Sequence, residues 1–126
     1  MGGAHLVPVG VLGLSLWGMT AQASDHGAQH FKGVPSHTYE QAVANLAEYN
    51  PKLAAMVNKE TLTPKDMADI HQLTYTLENA IQRIKTYLET TAETLEGVHQ
   101  ACEKAQYDTA RDQGRLYLEQ SGLLIK

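Results

Sequence analysis

Apolar residues recur at alternating spacings of three and four along one stretch of the chain, from Thr63 to Ala105. The positions are Met67, Ile70, Thr74, Leu77, Ile81, Ile84, Leu88, Thr91, Leu95, Val98, Cys102 and Ala105. Ten of these twelve are apolar, and the alternation is the heptad rhythm of a helix that packs against other helices. Its start is well marked. Thr63 is placed as N-cap, Pro64 at N1 needs no amide partner, and Asp66 at N3 accepts from the N-terminal backbone and suits the helix dipole. Leu73, Ala80, Tyr87, Thr94 and Ala101 form a second stripe beside the first, so the face is wider than a two-stranded seam and suits a three- or four-helix bundle. Thr90, Thr91 and Gly97 mark the one place where a break is conceivable. The heptad phase passes through them, which predicts one continuous helix roughly 65 Å long at 1.5 Å per residue.

Two shorter helices flank it. Thr38-Tyr39-Glu40-Gln41 fits a capping box, and Tyr39, Ala42, Val43, Leu46, Tyr49, Leu53, Met56 and Val57 follow at helical spacing. Pro51 removes one helical hydrogen bond, but the stripe keeps its phase across it, so a single kinked helix over about 38–57 is expected. After a turn at Gln106–Thr109 with Asp108 as N-cap, a last helix over about 108–121 turns Ala110, Gly114, Tyr117, Leu118 and Ser121 inward. Gly122 closes it, and Leu123, Leu124 and Ile125 form a short apolar tail. No stretch alternates long enough for a sheet. The expected fold is therefore all-α: an antiparallel bundle of three helices, about 38–57, 63–105 and 108–121, with a long continuous central member.

Upstream, residues 6–19 carry no charge and are mostly apolar, and Thr20-Ala21-Gln22-Ala23 supplies small residues before the polar Ser24-Asp25-His26. That order predicts a signal peptide over 1–23, cleaved after Ala23, and hence a periplasmic protein. The apolar run is short for a spanning helix, which needs roughly 20 apolar residues, so no membrane insertion is expected after signal cleavage. Residues 24–36, with Gly, His and Pro and only Phe31 as a large apolar anchor, read as a flexible N-terminal arm. Residues 37–126 then form one helical domain.

Composition adds exclusions. The 126-residue chain has a formal net charge of −4, with no Lys, Arg, Asp or Glu before Ser24. The scattered basic residues form no patch of the kind that nucleic-acid binding uses. The single Cys makes no internal disulfide. The central helix also outruns the two short helices that flank it, leaving one face short of cover. Two copies would complete four-helix cross-sections, so a homodimer is expected, alongside an unknown periplasmic protein partner.

Candidate chemistry is sparse. Cleavage before Ser24 would create Ser24-Asp25-His26, whose α-amine, two amides and third-position imidazole can surround copper(II) or nickel(II) in a square plane. His71 and His99 share a face four heptads apart. On a continuous helix that is about 42 Å, too far for one metal or haem. His99 with Cys102 or Glu103 offers two ligands from one turn, and two do not make a zinc site. Met56 or Met67 with a bundle histidine is the haem alternative, while the absence of Cys-x-x-Cys-His excludes covalent attachment. The plainer reading makes these flank histidines, core methionines and a core Cys102. No Glu-x-x-His pair, phosphate loop or catalytic triad pattern is present, and no catalytic residue is assigned.

The chain resembles a family of small, uncharacterised exported proteins of proteobacteria. The likeness lies in His30-Phe31-Lys32-Gly33, in Tyr39 through Leu53, and above all in Leu62-Thr63-Pro64 with the run from Ile70 to Ile81. It continues through Leu95-Glu96-Gly97-Val98-His99 to Gly114 and Tyr117-Leu118, where Gly97 replaces an expected glutamate. The resemblance implies a periplasmic location and no activity or ligand, and singles out His71, Thr74, Tyr75 and Asn79 for an internal polar contact. The expected function is that of a non-enzymatic structural or interaction protein. A periplasmic metal- or haem-binding bundle is the alternative.

Overall fold

The computed structural model describes residues 32–126. Three helices follow in order: α1 (Tyr39–Val57), α2 (Pro64–Glu103) and α3 (Tyr107–Leu124). The expected all-α, three-helix architecture is found, and α2 runs unbroken through Thr90, Thr91 and Gly97. α1 and α3 each pack on α2 and make no comparable backbone contact with each other. α1 covers the first half of α2 and α3 the second, so the two short helices lie nearly end to end along one side of the long one.

Local chemistry explains each boundary. The Thr38 hydroxyl accepts from the Gln41 amide, 3.1 Å, to open α1. Thr63 and Asp66 form the full capping box of α2, with Pro64 in the first turn. Lys59, in the corner before α2, reaches back to the same Asp66 carboxylate. The Lys59 ammonium, followed by the Thr63 hydroxyl and amide, holds the Asp66 carboxyl well below the usual carboxylate range. Pro51 lies within α1, which remains one helix.

Two ends differ from the sequence expectation. α2 stops at Glu103, because Ala105 adopts a left-handed conformation (φ 54°). The Gln106 amide then donates to the Ala101 carbonyl and the Ala105 amide to that of Cys102, a Schellman ending with alanine where glycine is usual. α3 accordingly starts at Tyr107 with Gln106 as its cap residue, and Asp108 sits inside the first turn, paired with Arg111. Its far end runs past Gly122 to Leu124.

The buried face of α2 centres on the second stripe and takes in only the near side of the heptad one, where Thr91 is buried. Ala80, Thr94 and Ala101 are buried together with Thr76 and Thr91. Small side chains there let the neighbouring backbones approach closely, a geometry that the larger Ile81, Leu88 and Leu95 would hold apart. Nothing larger than Thr76 is fully buried among the described residues. Tyr87 fills the gap where α1 and α3 meet. Its ring lies 4.6 Å from that of Tyr39, and its hydroxyl donates to the Gln120 carbonyl at 2.9 Å. Burial pushes the Tyr87 phenol up. On the short helices, Val43, Val57 and Leu118 are exposed, so three of the positions expected to face inward do not.

Residues 32–37, which take in the end of the expected 24–36 arm and the first residue of the helical domain, have no regular structure and are fastened along α2. The Val34 amide donates to the Thr76 hydroxyl at 3.0 Å. The Asn79 side chain donates to the carbonyls of Lys32 and Val34, and Arg83 Nε to that of Ser36 at 2.9 Å. Asn45 of α1 reaches Ser36 from the other side. Gly33 makes this approach possible. Its φ is +68°, and a Cβ there would stand 2.6 Å from the Thr76 nitrogen and 2.7 Å from the Tyr75 carbonyl carbon.

Gly33→Ala therefore combines a left-handed strain of about 1–3 kcal/mol with a backbone collision, and is expected to undock the arm. Hydrogen exchange measures this directly. The Val34 amide should lose about tenfold or more of its protection, while amides in the middle of α3 keep theirs. Unchanged protection at Val34 would contradict the clamp.

Candidate functional site

With one stripe of α2 buried, the first position of every heptad but that of Thr74, which is half-buried, is left outside. Met67 is 56% exposed, Ile81 55%, and Leu88 and Leu95 46% each. Thr74 and Cys102 continue the same seven-residue register. Met67 to Cys102 is a ridge about 52 Å long at 1.5 Å per residue. Ile70, Leu77, Ile84 and Val98 lie half-buried along its inner edge. Glu78 and Lys85 stand along its outer edge, with His71 and His99 in the same line. Cys102 was expected at a core position and is instead exposed. The reason is the same choice of face: the helices pack on the small residues beside the heptad line. A contiguous apolar strip on a helix of this length is the feature that most departs from an ordinary solvated surface.

The other sequence candidates do not converge. His71 Nε2 lies 3.1 Å from the Tyr75 hydroxyl, and His99 Nε2 lies 3.3 Å from a Glu103 carboxylate oxygen. Both histidines are exposed on the unbroken α2, far apart along its axis. Met67 belongs to the ridge, whereas Met56 lines a shallow cleft with Tyr49, Lys52 and Leu73. Among the described residues, no group of three or more His, Cys, Asp or Glu side chains is placed to hold a metal. Ser24, Asp25 and His26, with the expected signal segment 1–23, lie outside the described residues. Of the four residues singled out for an internal polar contact, Asn79 makes one, to the arm. Thr74 donates to the His71 carbonyl within its own helix, and Tyr75 pairs with His71.

A polar cleft of about 500 Å³ lies between the arm and α2, lined by Pro35, Ser36, His37, Asn79, Gln82, Arg83 and Thr86. The Asn79 amide and Arg83 Nε are already engaged by arm carbonyls. The cleft thus reads as the seat of the arm. Among the described residues, no helix is long and apolar enough to cross a membrane.

The fold and its surface define a small all-helical protein with a thin core and a long apolar ridge. The chain belongs to a family described as a family of unknown function (DUF6746), whose model matches residues 4–126. Searches of curated proteins and of solved structures give no match.

Proposed function

We propose that this protein is a non-enzymatic interaction protein, exported to the periplasm, whose working surface is the ridge of α2. The observation that carries this reading is the register of the exposure. Four large apolar side chains, Met67, Ile81, Leu88 and Leu95, stay outside at multiples of seven residues, the spacing by which one helix meets another. A ridge of this kind is costly to keep in water at roughly 25 cal/mol per Å² of apolar surface. A helical partner would remove that cost. The reading of export rests on the uncharged apolar run of residues 6–19 and the small residues before Ser24.

A photo-crosslinking residue introduced at Ile81 or Leu88 in the full chain, expressed in cells, should form covalent protein adducts of discrete mass. The same residue at Glu93, on another face of α2, should form few. Equal yields at all three positions would contradict the ridge as the working surface. For export, protein recovered from the periplasm should begin at Ser24 by mass spectrometry. A chain retaining residues 1–23 would count against it.

A further inference from the structure

The ridge has a repeat of seven residues, about 10.5 Å along the helix axis. Two such ridges pack best when the side chains of one fall midway between those of the other. For an antiparallel pair of identical helices, only certain positions of the two-fold axis allow this. One lies close to residue 83 and another seven-half residues further along, near residue 86. In either, nearly every ridge residue drops between two ridge residues of the other copy. Packing alone does not choose between them.

The charges on the outer edge do. Glu78 and Lys85 are seven residues apart on that edge, and Glu78 has no ion-pair partner among the described contacts. Lys85 has only a long, exposed contact with Glu89, at 3.8 Å. With the axis near residue 83, Glu78 falls within about 4 Å, along the axis, of the partner's Lys85, and the symmetry forms that pair twice. With the axis near residue 86, each Lys85 instead meets the partner's Lys85. A parallel pair puts the two Glu78-bearing edges on opposite sides of the seam, so it forms no pair between Glu78 and the partner's Lys85. Charge complementarity thus selects one arrangement.

We infer that the ridge of α2 is covered by the same ridge of a second copy, antiparallel, about a two-fold axis near Arg83, with Glu78 facing the partner's Lys85. The inference rests on the reading of the ridge as an interaction surface. It also accounts for the lengths of the helices. In each half of such a dimer, α1 lies beside the first half of α2, opposite the second half of the partner helix with its own α3. Four helices then share each cross-section, the arrangement in which a thin two-layer structure gains a common core. The ridge strip, about 52 Å by roughly 10 Å, supplies on the order of 500 Å² per copy. Contact between the short helices brings the total towards the roughly 800 Å² of a stable interface.

The lone cysteine is a built-in reporter of direction. Cys102 lies at one end of the ridge and is exposed. In the antiparallel pair the two copies of Cys102 stand about 58 Å apart along the axis, and in a parallel pair they are neighbours. With the full-length mature chain, sedimentation equilibrium should first give a dimer mass at about 100 μM. Spin labels on Cys102 should then give a long inter-label distance near 58 Å, and a distance under about 25 Å would overturn the direction while leaving the ridge as interface. A strictly monomeric mass would overturn the pairing with a second copy. It would not touch the broader reading, which the adduct pattern at Ile81 and Leu88 decides separately. The register has its own test. Glu78→Lys should weaken association about tenfold, and adding Lys85→Glu should restore it. Failure of the double variant to recover, with helicity unchanged, would overturn the register.

Discussion

α2 has 40 residues while α1 has 19 and α3 18, and the rest of the architecture follows from that mismatch. A helix some 60 Å long cannot be covered by one partner half its length, so the two short helices divide it between them. They meet over its middle, where Tyr87 closes the seam by packing its ring, tilted, against Tyr39 of α1 and donating to a carbonyl of α3. The long helix is covered along its length on one side, and only on that side.

A single covered side makes a thin core. The fully sequestered residues are small, and each adds little apolar area, so hydrophobic burial per residue is modest. Specific polar fixtures supplement it. The arm is held by Thr76, Asn79 and Arg83, three residues spaced along α2 whose partners lie more than forty residues earlier in the chain. At the other corner, Lys59, Thr63 and Asp66 tie the α1–α2 connection to the start of α2. Fixtures of this kind set where the helices begin and which face they turn inward. They leave the ridge untouched.

Much of this was legible from residue types alone. Thr38 with Gln41, and Thr63-Pro64 with Asp66, announce helix starts because capping is a local interaction with fixed spacing. The unbroken heptad phase across Thr90 and Thr91 announced a continuous helix. The choice of face was not legible, because periodicity records which residues are apolar and not how closely a partner backbone must approach. Ala80, Thr94 and Ala101 are inside on account of their size, while Ile81, Leu88 and Leu95, apolar by any scale, are outside. Ala105 in a left-handed conformation carries no sequence mark, since glycine is the residue that advertises that turn. Gly33 gave a weak signal: a glycine in an irregular segment is ordinary, and only the contact with Thr76 and Tyr75 shows why a side chain would not fit.

α2 has two apolar faces, one closed within the chain and the other, on the proposal above, closed by a second copy. Methyl relaxation by a soluble paramagnetic agent distinguishes them residue by residue. In dilute solution the methyl groups of Ile81, Leu88 and Leu95 should relax strongly and those of Ala80 and Ala101 weakly. At about 100 μM the first group should become as protected as the second. Ridge methyls that stay equally exposed at every concentration, or that are protected in the dilute monomer, would contradict the account.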